Sequence, residues 1–151
     1  MDPASQLQTF YAGEFRHSID EKNRLTIPSR WRTGEAEEFI VLPHPKLNFL
    51  MVMPPEEFAR MTAKVEQNGS LSAGDRGVAL RHLHARAQHG SADKQGRLVL
   101  PVDLCQQLGL RGEVALVGGR GRFEIWNLEK WKRAEQAEAA TYQHVADMIG
   151  L

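Results

Sequence analysis

Two acid and base pairs recur in this chain at one spacing. Asp20 and Arg24 bracket a first D-x-x-x-R segment, which carries Lys22, and Asp93 and Arg97 bracket a second, which carries Lys94. A carboxylate at the head of such a segment can accept hydrogen bonds from backbone amides two or three residues further on and so pin a turn. The arginine at its end can pair with that carboxylate or a neighbour, or offer its guanidinium fork to a phosphate or a guanine edge. The roles are compatible. The aspartates read as structural, and the arginines divide between structure and recognition.

Both pairs belong to a longer repeat. Ser18-Ile-Asp-Glu-Lys-Asn-Arg-Leu-Thr-Ile-Pro28 returns as Ser91-Ala-Asp-Lys-Gln-Gly-Arg-Leu-Val-Leu-Pro101, at an offset of 73 positions from Asp20 to Asp93. Asn23 aligns with Gly96. These residue types enter the left-handed region most readily, so both turns are expected to hold a positive φ there. On that ground Asn23→Gly is expected to be tolerated or slightly stabilising, and Gly96→Val to cost stability. The same offset aligns Leu50 with Phe123, Val52 with Ile125, Glu56 with Glu129 and Phe58 with Trp131. Two copies of one supersecondary unit follow.

Other candidate chemistry gives way to plainer readings. Gly118-Gly-Arg-Gly121 lies between two alternating apolar runs and lacks the lysine-threonine ending of a nucleotide loop, so it reads as a hairpin turn. His82, His84 and His89 straddle a change of element and have no carboxylate or cysteine to complete a metal set. Cys105 is the single cysteine and sits in an apolar-patterned stretch, which favours packing and a reducing compartment. No nucleophile carries a local catalytic signature. The reading is therefore of a protein that is not an enzyme and has no cofactor and no metal.

Formal net charge is zero, but its distribution is uneven. Arg16, Lys22, Arg24, Arg30 and Arg32 form one basic block, and Arg81, Arg86, Lys94 and Arg97 form another, each centred on a repeated turn. Acids gather instead at 35–38, 56–57 and 124–147. A neutral protein so arranged can attract phosphate on one side and stay soluble through the other. No apolar run is long enough for a membrane helix, and no basic-then-apolar leader opens the chain.

The elements that must hold these turns follow from periodicity. Residues 12–19 and 85–92 read as strands before each turn, and 24–27 and 97–100 as short strands after it, each ended by proline. Further strands are expected at 39–42, 49–53, 114–117 and 123–126. Pro54-Pro-Glu-Glu opens a helix that Asn68-Gly69 closes, Asp75 caps a helix within 70–85, Gly109 ends one over 102–108, and Asn127 caps a long terminal helix. The apolar Trp131, Tyr142, Val145, Met148 and Ile149 leave that last helix with more apolar surface than one small barrel covers, which points to self-association.

At these residues the chain resembles the MraZ family of bacterial transcriptional regulators, over about residues 10–142. The resemblance rests on the paired segments Asp20 to Pro28 and Asp93 to Pro101, on Tyr11-Ala-Gly13 before the first and on Phe123-Glu-Ile-Trp126 after the second. It implies an α+β, mainly β fold: a pseudo-two-fold double AbrB-like swapped-hairpin barrel with flanking helices. It divides the chain into an arm at 1–9, a first repeat at 10–69, a connecting helix at 70–84, a second repeat at 85–142 and the end of the C-terminal helix at 143–151. The implied partners are double-stranded DNA with tandem direct repeats, upstream of the division and cell-wall operon, and further copies of the chain in a ring-like oligomer, with no membrane. DNA contact then falls to Arg16, Lys22, Arg24, Lys94 and Arg97, with Arg30, Arg32 and Arg86 as flanking candidates and Asp20, Asn23, Asp93 and Gly96 shaping the turns. Such a protein is cytoplasmic and nucleoid-associated. The alternative is an antitoxin-like or scaffold module of the same barrel type, whose basic turns meet an acidic partner.

Overall fold

The computed structural model describes residues 10–46 and 48–151, so the expected arm at 1–9 lies outside the described residues. Eight strands are formed among them: β1 (Phe10–Ser18), β2 (Arg24–Thr26), β3 (Glu37–Pro43), β4 (Phe49–Met53), β5 (Gln88–Ala92), β6 (Arg97–Val99), β7 (Glu113–Arg120) and β8 (Phe123–Asn127). Helices α1 (Pro55–Glu66), α2 (Ala73–Arg86), α3 (Val102–Leu108) and α4 (Leu128–Met148) complete the fold, with a 3-10 turn at Ser29–Trp31.

The strands form one antiparallel sheet in the order β1-β7-β8-β4-β3-β5-β6-β2. Its two outer strands are consecutive in the chain and meet again. Asp20 N donates to Arg24 O at 2.9 Å, and His17 Nδ1 donates to Thr26 O at 2.6 Å, so the sheet is a nearly closed barrel. Exchanging each strand with its repeat equivalent returns the same cyclic order. The copies are thus interleaved: β1 of the first half pairs with β7 of the second, and β5 of the second with β3 of the first.

Alternation along the central strands sorts the apolar residues to two sides. Val41, Leu50, Val52, Leu116, Phe123 and Ile125 point into the barrel with Leu25 and Leu98. Ile40, Leu42, Phe49, Met51, Met53 and Trp126 point outward, where Phe58 and Met61 of α1, Leu83 of α2 and Trp131 of α4 cover them. Burial on both faces explains why β4 reads as an unbroken apolar run. Each fully buried leucine or phenylalanine contributes roughly 1.5–3 kcal/mol, which makes this two-layer core the main support of the turns. Inside, Trp31 packs at 5.1–5.6 Å from Phe123, Phe15 and Tyr11, and its Nε1 donates to Ala12 O at 2.9 Å.

Three local expectations are corrected. Ser72, not Asp75, caps α2: its hydroxyl accepts from Asp75 N at 3.0 Å, and Asp75 serves as an acid in the first turn. The same helix continues through Arg86, so the strand expected from 85 begins at Gln88, because the Ala87 amide still bonds back to Leu83 O. α1 ends at Gln67 in a right-handed conformation, without a left-handed glycine cap at Gly69. No helix among the described residues is long and apolar enough to cross a membrane.

Candidate nucleic-acid interface

The two D-x-x-x-R segments are brought together by a three-residue ribbon. β2 pairs with β6 as Arg24↔Val99, Leu25↔Leu98 and Thr26↔Arg97. Leu25 and Leu98 are equivalent positions of the repeat, so the pseudo-two-fold axis passes through their pairing. Their side chains are fully buried. Since neighbouring strand residues face opposite sides, Arg24, Thr26, Arg97 and Val99 all lie on the outer face. Arg24 and Arg97 are diagonal neighbours there, roughly 7–8 Å apart.

Each turn is clamped by its aspartate in the same way. Asp20 Oδ1 accepts from the amides of Lys22 at 2.9 Å and Arg24 at 2.8 Å, and its Oδ2 accepts from Arg24 Nε at 2.9 Å. Asp93 accepts from the amides of Gln95 at 3.0 Å and Arg97 at 2.9 Å, and from Arg97 Nε at 2.7 Å. The backbone amide of Arg24 is the largest influence holding the Asp20 carboxyl below the usual aspartate range, and that of Arg97 does the same for Asp93. Both arginines therefore fill the structural role. Nε fixes the turn, and the partly exposed guanidinium ends stand on the outer face.

The turn residues hold the expected conformation, with φ 60° at Asn23 and 78° at Gly96. Their carbonyls reach across the axis, Asn23 O accepting from Leu100 N at 2.9 Å and Gly96 O from Ile27 N at 2.8 Å. Asn23 does more than adopt the angle. Its Nδ2 donates to Leu100 O at 2.7 Å, so the expectation that glycine would serve there equally well is revised to a net cost.

The remaining cations differ in placement. Lys22 and Lys94 are exposed on the turns, and Arg30 is exposed on the 3-10 turn beyond β2. Arg16 projects outward from β1, opposite Ala115 of β7 and in the stretch that leads into the first turn. Arg86 stands apart at the end of α2, separated from the second turn by the whole of β5, where it lines a small apolar cleft with Leu42, Pro43 and Leu83. Arg32 is half-buried and turned toward the second turn, its Nη1 donating to Gln95 O at 2.6 Å. Sequence reasoning passed over Thr26 and Val99, which complete the outer face; strict alternation about the buried Leu25 and Leu98 is the signal that locates them. No group of three or more metal-ligating side chains occurs among the described residues.

What the ribbon can do is bind an extended anion: two arginines related by the two-fold axis stand on pinned backbone, with one exposed lysine on each turn at positions that are not equivalent. Comparison with known proteins agrees with the repeat. The family model described as "MraZ protein, putative antitoxin-like" matches twice, over residues 10–81 and 83–151. A "Transcriptional regulator MraZ" from Desulforamulus reducens is 34% identical over 139 residues, covering 92% of this chain and 96% of the relative. Proteins of the same name from Acetivibrio thermocellus (34% over 144 residues, 94% and 97% covered) and Symbiobacterium thermophilum (33% over 138 residues, 91% and 99% covered) are similar along their full lengths. Both halves matched by one model, and relatives more than 30% identical over more than nine-tenths of its length, make this chain a member of the MraZ family.

Proposed function

We propose that this protein is a sequence-specific DNA-binding transcriptional regulator of the bacterial division and cell-wall gene cluster. It acts in the cytoplasm at the nucleoid and binds short direct repeats upstream of its own operon as a ring-like homo-oligomer. The observation that supports this most is the outer face of β2 and β6, where two clamped arginines are presented by a two-stranded ribbon. A ribbon of that kind fits the major groove of B-form DNA, where guanidinium forks read guanine. Lys22, Lys94 and Arg16 supply phosphate contacts around it, with Arg30 at its flank.

One ribbon offers few contacts, and its two-fold symmetry within a chain does not match repeats that all run in one direction. Successive subunits of a ring supply the missing translation, each reading one repeat, and avidity multiplies their weak individual affinities. Tyr142, Val145, Met148 and Ile149, exposed along the end of α4, support a second copy as the occupant of that face.

The test is binding to DNA taken from directly upstream of the protein's own gene against a scrambled fragment, across a range of salt. Preference for the upstream fragment is expected, with log K falling against log salt by about 0.9 per phosphate contacted. Binding that ignores both salt and sequence would overturn the proposal. Loss of binding to every fragment at low salt would favour the interaction-module alternative.

A further inference from the structure

Position 32 of the first repeat corresponds to position 105 of the second, at the same offset that relates the turns. The residues there could hardly differ more, arginine against cysteine, yet they do corresponding work across the axis. Arg32 lies behind the second turn. Its Nη1 donates to Gln95 O at 2.6 Å, and a Cβ placed on Gly96 would overlap its Cδ and come within 2.9 Å of its Nε. That Nε is buried without a hydrogen-bond partner among the described residues, so the stem is lodged against the turn rather than extended toward solvent.

Cys105 lies in the matching place behind the first turn and is buried. Asn23 reaches toward it from the turn, with Nδ2 at 2.7 Å from Leu100 O and 3.7 Å from Sγ. The short thiol leaves room: a cavity of about 330 Å³ opens beside it, lined by Asn23, Val102, Cys105, Gln106 and Leu110. Each turn is thus backed by one filler. Where the turn has no side chain, the other repeat sends a long one, and where the turn has an amide, the other repeat keeps its own residue small.

We propose that these are reciprocal cross-repeat plugs, and that Arg32 is a positioning residue for the Asp93 to Arg97 turn rather than a contact to DNA. Its effect on DNA rests on the regulatory reading above; the packing relationship does not. Gly96→Asn should crowd Arg32 and lower the melting temperature. Combining it with Arg32→Cys transplants the first arrangement into the second turn, since an asparagine at 96 would find Ile27 O where Asn23 finds Leu100 O. The double variant should therefore melt above the sum of the two single losses, the signature of coupled sites.

Binding to the upstream fragment supplies a readout that a merely structural residue would not move. Arg32→Met, which keeps the stem and removes the donors, should weaken binding by roughly threefold to tenfold, the equilibrium factor of one ordinary hydrogen bond. The salt slope should be unchanged, and Arg32→Lys should restore affinity. Additive melting losses in the double variant overturn the plug. A salt slope reduced by about 0.9 in Arg32→Met, with melting unaltered, overturns the positioning role and makes Arg32 a phosphate contact. If no variant or parent binds DNA, the regulatory reading fails while the melting comparison still decides the plug.

Discussion

The two turns share a backbone and differ in almost everything attached to it. Asp20 and Asp93 make the same three hydrogen bonds with the same atoms, and both turns pass through a left-handed residue at the same point. The first balances Asp20 and Glu21 against Lys22 and Arg24, whereas the second sets only Asp93 against Lys94 and Arg97. The first carries an amide at its left-handed position and a small neighbour; the second carries no side chain and a large neighbour. The D-x-x-x-R spacing dictates the conformation, while the space behind each turn dictates which residue can hold it. Charge varies independently of both.

The largest expected effect tests whether the symmetry reaches the core. Leu25→Ala and Leu98→Ala each remove a fully buried side chain at the axis and should each cost about 2–5 kcal/mol in denaturant unfolding. Because the residues face one another, the two losses should agree. A twofold disparity would show that the halves are not supported equally.

DNA binding should expose the charge difference. Arg97→Ala is expected to weaken binding to the upstream fragment by about 1–3 kcal/mol, roughly fivefold to 160-fold. Arg24→Ala should cost less, because Glu21 beside it already opposes the approach of phosphate. Lys94→Glu gives the second turn the acid of the first and should narrow the gap; a wider gap would mean that local charge is not what separates them.

A smaller effect concerns the left-handed position. Asn23→Gly relieves a modest backbone strain but deletes the bond to Leu100 O, for a net loss of about 0.5–1 kcal/mol by thermal melting. A variant that melts above the parent would restore the simpler view in which both turns ask only for a positive φ.

The smallest effect is in pH. With both aspartates held below their ordinary range, their stabilising contribution is complete above the titration range of an unfolded aspartate. It is lost as pH falls through the lowered folded values. Melting temperature should therefore drop on acidification, and Asp20→Asn and Asp93→Asn should each flatten part of that limb to a similar degree. Both pairs are substantially exposed, so added salt should shrink the effect.

Features governed by neighbours in sequence were legible in advance. The positive φ at Asn23 and Gly96, the αL end of α3 at Gly109 and the Asn127 cap of α4 all depend on a few adjacent residues, whereas the hairpin turn expected over 118–121 falls at 121–122, because Gly118 to Arg120 continue β7. The amides clamped by each aspartate include one four residues on, beyond the two or three first expected, because the following strand starts before the turn is finished. Arg32 was a different matter. The basic block and the family resemblance grouped it with the flanking candidates for DNA contact, and its neighbours in the fold, Gln95 and Gly96, lie in the other repeat. Arg86 is near the second turn in sequence, but the intervening strand β5 separates the two in the fold. Composition tells what a side chain can do, and only the interleaving of the copies tells where it is.

That interleaving has a consequence for how the chain is made. Among the described residues β1 forms its ladder with β7 of the other half, joining Phe10 to Arg120, and touches its own half chiefly at the barrel seam with β2. At a synthesis rate on the order of 5–20 residues per second, the first strand waits several seconds for its mate to leave the ribosome. Neither repeat closes alone, and the ordering entropy of these distant pairings is met before their contacts reward it, which makes folding slow and leaves strand edges exposed meanwhile. A half-length chain is therefore a pairing template for another copy rather than a smaller version of the protein.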